Sequence, residues 1–339
     1  MSAEDPGLNL LTMLRTILEL DPERVREAER GFLWWPSAYP MRFTARPLRD
    51  EGNTVVSAET RLLGGVAGTG AEFARIAMRN ARDPGLSSLR YDAESKELSL
   101  HTSVIAWPGD AMLVARRLAH AAILQAGDAL RAADGLAVEF PGSHLLIPDD
   151  PLARLEPIPQ VEVWQDYVAA GPERAEAVAE QVAALAALRP APWANVSRAP
   201  HGLDAEIACA PPHLQAAPGQ GKALLRISAT QSHPRMGAGL VVVLVLPPEC
   251  EPDLDRAPAT AALLNEAEAR EWTGADAQGA WCVDPMAGLS HAAFVPALAV
   301  EEDTAERLAW QAGIRARWAV QFLERVAAMR AAAGDAPRT

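Results

Sequence analysis

The strongest constraint on how this chain folds is that one order of strand and helix signals occurs twice. In the first half, two strand-like segments flank a turn at Gly52, and a helix, a second hairpin and a long helix from about Ala111 follow. In the second half, ALLRISATQ and GLVVVLVLP flank the loop SHPRMGA, and the same elements follow in the same order. The offset is roughly 180 to 190 residues, much longer than a solenoid repeat. The sequence therefore predicts an α+β fold of two pseudo-repeats, each an antiparallel sheet of two hairpins with a connecting helix and a long C-terminal helix.

This duplication divides the chain into six predicted segments. With 339 residues, the chain is long enough for two domains that each bury a core. Near the N-terminus, Leu10, Leu14, Ile17 and Leu18 fall on one helical stripe, which predicts a helix packed on the first half or on a second copy. The predicted segments are N-terminal helices at 1–36, the first α+β repeat at 37–133, a proline-rich linker at 134–160, a helical segment at 161–192, the second α+β repeat at 193–330 and a disordered tail at 331–339.

Charge and cysteine content narrow the class of partner and the compartment. The formal net charge of −13 opposes nucleic acid binding, which needs a basic surface, and favours a protein partner. The three cysteines form no C-x-x-C motif and no apolar leader is seen, so a cytoplasmic location is expected. The longest apolar run, Leu240 to Leu246, has the length of a strand, so no membrane span is expected.

The loop SHPRMGA contains the residues that most resemble a catalytic site. Ser232 and His233 are adjacent, but G-x-S-x-G is absent and the loop occupies the position of a hairpin tip. We therefore interpret the loop as an exposed turn whose functional use is contact with a partner, through His233, Arg235 and Met236.

The sequence predicts neither a cofactor nor a metal site. The segment GGVAGTG lies between a strand and a helix, but it lacks the third glycine of a dinucleotide-binding loop and the lysine of a phosphate-binding loop. The seven histidines are scattered singly and form no cluster with cysteine. No residue is therefore assigned a catalytic, cofactor-binding or metal-binding role.

Two further features are candidates for partner binding. Trp34 and Trp35 are adjacent in an extended segment, so their side chains point to opposite sides and only one can enter the same core. The other indole could pack on the second half, on a second copy or on a client, and burial within the chain is favoured. Arg315 falls inside the apolar stripe of the last helix, where a side chain that reaches solvent is favoured over a buried ion pair or an anion contact.

The order of helix, antiparallel strands, helix, strands and long helix, twice over in an acidic chain, resembles the type III secretion chaperone-like fold, including the YbjN-like group of bacterial regulators. The likeness covers most of both halves and rests on the order of elements, so no residues of that family are transferred to this chain. It implies an α+β domain pair that binds proteins through sheet and helix surfaces. In the secretion chaperones two chains pair, whereas the duplication here could supply the pair within one chain; a homodimer is the other arrangement.

Three hypotheses about function follow. The leading one is a non-catalytic adaptor or chaperone-like protein, in which an exposed apolar or strand-edge surface captures a segment of a partner protein. The first alternative is a hydrolase-like enzyme with a site in the cleft between the repeats, for which a pocket lined jointly by Ser232, His233 and Cys282 would be evidence. The second alternative is a small-ligand sensor, for which a closed apolar cavity between sheet and helix would be evidence.

Overall fold

The computed structural model describes residues 5–48, 52–107, 111–146, 150–159, 161, 180, 182, 193–199, 202–209, 221–229, 233, 236–271, 276–297, 300 and 304–332. These residues form two antiparallel sheets, of seven and six strands, and five helices. The first half contains α1 (Pro6–Ile17), β1 (Val25–Ala28), β2 (Gly31–Trp34), β3 (Met41–Pro47), β4 (Thr54–Gly64), α2 (Gly70–Arg82), β5 (Ser88–Asp92), β6 (Glu97–Ala106), α3 (Ala111–Glu139) and β7 (Ser143–His144). The second half contains β8 (Trp193–Ala199), β9 (Gly202–Ala208), β10 (Lys222–Ser228), β11 (Gly239–Val245), α4 (Ala257–Glu271), β12 (Ala280–Asp284), β13 (Gly288–Pro296) and α5 (Thr304–Ala332).

Both sheets follow the same strand path, which confirms the predicted α+β fold. The strand order is β1-β2-β3-β4-β6-β5 in the first sheet and β12-β13-β11-β10-β9-β8 in the second, which is the same path written from the opposite edge. In each half, a helix leads from the fourth strand to the far edge of the sheet, and the last strand returns beside the fourth. The short strand β7 is an addition in the first half, where it pairs with the end of β4.

Each sheet begins with a hairpin that the sequence analysis did not assign. Residues 25–34 were placed among the N-terminal helices, but they form β1 and β2. Phe32 and Trp34 are buried on one side of β2 while Leu33 lies on the other, and this period of two fits a strand. A helix would turn Phe32 and Trp34 about 200° apart. In addition, α3 continues to Glu139, inside the predicted linker, and the division into six segments itself stays a prediction.

Two glycines mark equivalent positions at the start of each sheet. Gly31 opens β2 and pairs with Ala28 across a two-residue turn, and Gly202 opens β9 and pairs with Ala199. A Cβ atom on either glycine would clash with a backbone carbonyl oxygen of the third strand, that of Phe43 or Ile227. The same close backbone approach therefore occurs in both halves and requires glycine at both positions.

Two asparagines make the same contact in both halves. On α2, the Asn80 side-chain amide donates to the carbonyl oxygen of Leu89 at 3.0 Å and accepts the Leu89 N–H at 3.1 Å. On α4, Asn265 makes the corresponding two hydrogen bonds with Trp281, both at 2.8 Å. The outer edges of β5 and β12 would otherwise carry unpaired backbone groups, so each asparagine satisfies a strand edge from the neighbouring helix.

Each sheet has a back face and a front face. The back face of the first sheet packs against α1 and α3, and Leu10 and Leu14 of α1 are fully buried there. The back face of the second sheet packs against α5, where the Trp318 ring lies 6.5 Å from that of Trp281. The helices α2 and α4 contact each other and the edge strands β5 and β12 of the last hairpins. The apolar stripe of α1 is therefore covered within the chain.

We expect Asn265→Ala to destabilise the fold by about 1–3 kcal/mol, because it leaves the buried N–H and C=O of Trp281 without partners. Urea unfolding followed by circular dichroism measures this change. Gln321→Ala, at an exposed position of α5, is the control and should change stability by no more than about 0.5 kcal/mol. Equal stabilities of the two variants would show that the helix-to-strand contact is dispensable.

Candidate functional site

The two halves pack on each other through α2 and α4. These helices contact each other, α2 contacts β12 of the second half, and α4 contacts β5 of the first half. Two backbone hydrogen bonds also join the halves. The Ser103 N–H donates to the Ala277 carbonyl at 3.2 Å, and the Phe294 N–H donates to the Gly85 carbonyl at 3.4 Å. Ser103 and Phe294 occupy equivalent positions on β6 and β13, so the halves face each other as the partners of a twofold dimer do.

Asp276 is the central polar residue of this junction. It is only 4% exposed, and one carboxylate oxygen accepts the backbone N–H of Ile105 on β6 at 2.9 Å. Its other oxygen accepts from Arg117 on α3 at 2.9 Å and from Gln311 on α5 at 3.1 Å. Asp276 thus joins three elements of the two halves through one buried charge that is paired and fully hydrogen-bonded.

Arg315 extends this network within the second half. Its guanidinium donates to Glu268 on α4 at 2.8 Å and to the Asp276 backbone carbonyl at 2.6 Å. Glu268 also accepts from the Trp281 indole at 2.8 Å. The Arg315 and Glu268 side chains are 7% and 5% exposed, so the sequence interpretation of Arg315 as a side chain reaching solvent was wrong. The reason is Glu268, which no periodicity in α5 could indicate.

Two fully buried histidines lie close to this junction. His291 stacks edge-on against Trp281 at 5.3 Å, and burial, followed by the charge of Arg315, holds its pKa well below the ordinary value. His101 lies on β6, and burial, followed by Arg90 and Arg46, lowers its pKa in the same direction. Both imidazoles are therefore neutral in the folded chain at neutral pH.

The three thiols are unsuited to nucleophilic chemistry. All are free, and burial is the main cause that raises the pKa of Cys209 to about 11 and those of Cys250 and Cys282 to about 12. The thiolate is the reactive form of cysteine, and these pKa values leave almost none of it at neutral pH.

The structure places both tryptophans of the predicted partner-binding set inside the chain. Trp34 packs against Phe43 on the back face of the first sheet, at 6.5 Å between ring centroids. Trp35 points to the front face, where the Arg26 guanidinium lies 5.3 Å from its ring, and Arg26 in turn binds Asp150. The second surface for the adjacent indole is thus supplied by the chain itself.

The loop between β10 and β11 is not an exposed tip at His233. The His233 side chain is buried, its ring lies 4.9 Å from that of Phe294, and its Nε2 atom is 2.9 Å from an Asp83 carboxylate oxygen. Met236 is also buried, whereas Ser232 and Arg235 lie outside the described residues. At His233 and Met236 the expectation of an exposed loop was wrong, because the end of α2 in the first half lies against these residues, a contact between halves that periodicity does not show.

The front faces of the two sheets differ in chemistry at equivalent positions. Thr44 and Ser228, which lie opposite the two equivalent glycines, pair with Ser57 on β4 and Val241 on β11. Continuing along the same face, β4 presents Ser57, Glu59 and Arg61, whereas β11 presents Val241, Val243 and Val245. The polar set binds its own neighbours, since Glu59 pairs with Arg90 and Arg61 pairs with Glu97.

The three valines and Leu224 of β10 form an apolar strip, which we call the valine face. Leu224 lies directly opposite Val245 and is 37% exposed, and the three valines are half-buried. Sequence reasoning missed this face because the run Leu240 to Leu246 is apolar at every position, so the inward and outward residues look alike. Aligning the run with β4 through the equivalent glycines is the signal that could have found it.

A pocket of about 270 Å³ lies beside the end of α1. Its lining is mixed: three residues are charged, Glu19, Asp21 and Arg24, and six are apolar, Leu18, Leu20, Trp34, Ile158, Pro159 and Val161. The small-ligand hypothesis instead predicts a closed apolar cavity between sheet and helix, and it stays a hypothesis. Among the described residues, no group of His, Cys, Asp and Glu side chains could hold a metal ion, and no helix has the length and apolarity to cross a membrane.

Comparison of the chain with protein-family models, with curated proteins and with solved structures finds no match.

We expect Asp276→Asn to lower the free energy of unfolding by about 3–5 kcal/mol, because it leaves the buried Arg117 without its counter-charge. Asp204→Asn, in the exposed pair with Arg226, is the matched control and should cost less than about 1 kcal/mol. Chemical denaturation of both variants tests this difference. Equal costs would mean that the junction does not depend on Asp276.

Stability should fall as the pH is lowered from 7 to 5. The folded pKa of His291 is depressed, so below about pH 6.5 the unfolded chain takes up a proton that the folded chain does not. Each such histidine contributes a slope of up to about 1.4 kcal/mol per pH unit. His291→Phe should reduce this slope, while His144→Gln, at a more exposed site, is the control. An unchanged slope in His291→Phe would contradict the assignment.

Proposed function

We propose that this chain is a non-catalytic protein-binding protein of the adaptor or chaperone-like kind, and that the valine face is its binding surface. The observation that carries the proposal is the replacement of Ser57, Glu59 and Arg61 by valines at equivalent positions of the second sheet. The two sheets share one strand path, and the first sheet folds with polar residues at these positions, so the half-buried valines of the second sheet are not required by the fold.

The chemistry of the face supports protein binding. Apolar side chains that stay in contact with water lose favourable burial energy of roughly 25 cal/mol per Å² until a partner covers them. Beside the strip, Arg226 pairs with Asp204 at 2.9 Å and Lys222 pairs with Glu206 at 2.7 Å. An apolar centre with a polar rim is the usual composition of a protein interface.

The location of the reactive side chains also supports binding over catalysis. The three thiols are protonated at neutral pH, and His233 is buried against Phe294 and Asp83. Cys282 lies opposite Ser290 in the middle of the last hairpin, beneath the contact with α2. The enzyme alternative needs Ser232, His233 and Cys282 to line one accessible pocket. The described neighbours of His233 and Cys282 are instead packing contacts.

Capture of a partner tests the proposal. A tagged full-length chain is crosslinked in cells of its source, and the proteins captured by the wild type and by Val243→Thr/Val245→Thr are compared. We expect the double variant to lose a specific partner by about tenfold or more, since a loss of about 1.4 kcal/mol gives a factor of ten. Threonine keeps the branched shape and the strand propensity of valine.

The matched control is Val138→Thr, at a valine of α3 in the first half that is 90% exposed. Its capture should equal that of the wild type, and the thermal melting of all variants should be similar. Identical capture by the wild type and by the valine-face variant would contradict the proposal.

A further inference from the structure

We propose that the partner segment on the valine face is extended and basic, with alternating apolar residues flanked by lysine or arginine. This proposal rests on the proposed function above and adds the chemistry of the partner. It depends on the spacing of the strip, on the neutrality of its sides and on the charge at one end.

The spacing of the strip fits an extended segment. Val241, Val243 and Val245 are every second residue of one strand, so they recur about every 6.8 Å along the face. A partner in strand conformation presents its own alternate side chains at the same interval. A helical partner would present its contacts at three- and four-residue spacing instead, which does not follow one strand.

The two sides of the strip offer no unbalanced charge. On one side, Ala292 and Phe294 of β13 continue the same face and are buried at the junction with the first half. On the other side, Arg226 and Lys222 are each paired with a carboxylate of β9. Selection of a charged partner must therefore come from the ends of the strip.

The end of the strip at Val245 is acidic. The chain leaves β11 through Glu249, Glu251, Asp253 and Asp255, and Asp284 lies on the turn between β12 and β13. Within the described part of the chain, none of these five carboxylates makes an ion pair. Four of them, Glu249, Glu251, Asp253 and Asp284, accept a hydrogen bond from a neighbouring N–H or hydroxyl group. The pKa of Arg226 is raised mainly by its hydrogen bond and ion pair with Asp204 and, to a smaller extent, by the charge of Asp284. The Asp284 carboxylate therefore lies close to the strip.

Apolar side chains are mixed with these acids at the same end. Met286, on the turn beside Asp284, is 96% exposed, and Leu254 is 58% exposed. Leu254 lies next to Gly288, which begins β13 and leads to Ser290 opposite Val245. A segment that leaves the strip at this end meets exposed apolar atoms and unpaired negative charge together.

A basic partner is favoured over a second copy of the chain. Each copy carries a formal net charge of −13, so two copies repel, and identical acidic ends gain nothing from facing each other. A basic segment instead gains both apolar burial and charge complementarity, and the second term also speeds association at low salt.

Binding of two synthetic peptides to the full chain tests the inference. One peptide alternates valine and threonine and has lysines at both ends, and the matched probe carries glutamates in place of the lysines. By fluorescence anisotropy, we expect the lysine peptide to bind at least about tenfold more tightly in about 0.05 M salt, and the difference to shrink in about 0.5 M salt.

Variants separate the two contributions. Val243→Thr/Val245→Thr should weaken binding of the lysine peptide, whereas Val138→Thr should not. Asp253→Asn/Asp255→Asn should reduce the preference for lysine over glutamate while leaving thermal stability unchanged, because both carboxylates lie at the exposed surface.

Each contrary result has one meaning. Equal binding of both peptides, lost in the valine-face variant, would overturn the basic partner and leave the protein-binding function intact. If neither peptide binds while capture in cells still depends on the valines, the proposal of an extended basic segment would also be overturned. If the wild type is a dimer and the valine-face variant is a monomer, this face is a contact between two copies, and the proposal would be overturned. Equal capture of partners by the wild type and by the valine-face variant would contradict the proposed function itself.

Discussion

The buried carboxylate of Asp276 is the interaction on which the arrangement of the two halves depends. It accepts from β6 and α3 of the first half and from α5 of the second, so a single negative charge fixes three elements that are distant in sequence. Burying a charge is costly unless it is paired and hydrogen-bonded. The junction meets this condition in one geometry, and that requirement specifies how the halves face each other as well as how strongly they adhere.

The duplicated fold separates the residues that the architecture needs from those that are free to differ. Gly31 and Gly202 are the same residue at equivalent positions because a backbone passes too close for a side chain. Asn80 and Asn265 are the same because each satisfies both backbone groups of an edge residue. The front-face positions in the middle of β4 and β11 have no such requirement, and there polar and charged residues in one half correspond to valines in the other.

Burial also orders the chemistry of the chain. The residues with catalytic potential, three cysteines and the histidines at 101, 233 and 291, lie in cores or at the junction. Desolvation favours the neutral forms of the cysteines, His101 and His291. At one end of the second sheet, the exposed side chains of Leu254 and Met286 lie beside carboxylates that make no ion pair within the described residues. This division supports the proposal that the accessible surface of the protein recognises a partner and performs no reaction.

The sequence by itself determined the duplicated α+β architecture, because strand and helix periodicities and turn residues are local signals that survive in each half. It also determined that Leu10 and Leu14 must be covered, since a helical stripe of leucine has no other stable place. Only the tertiary structure decided the burial of His233, the pairing of Arg315 with Glu268 and the outward direction of Val243. Each of these depends on a neighbour far away in the chain or on the orientation of a strand that is apolar on both faces, and a one-dimensional pattern contains neither.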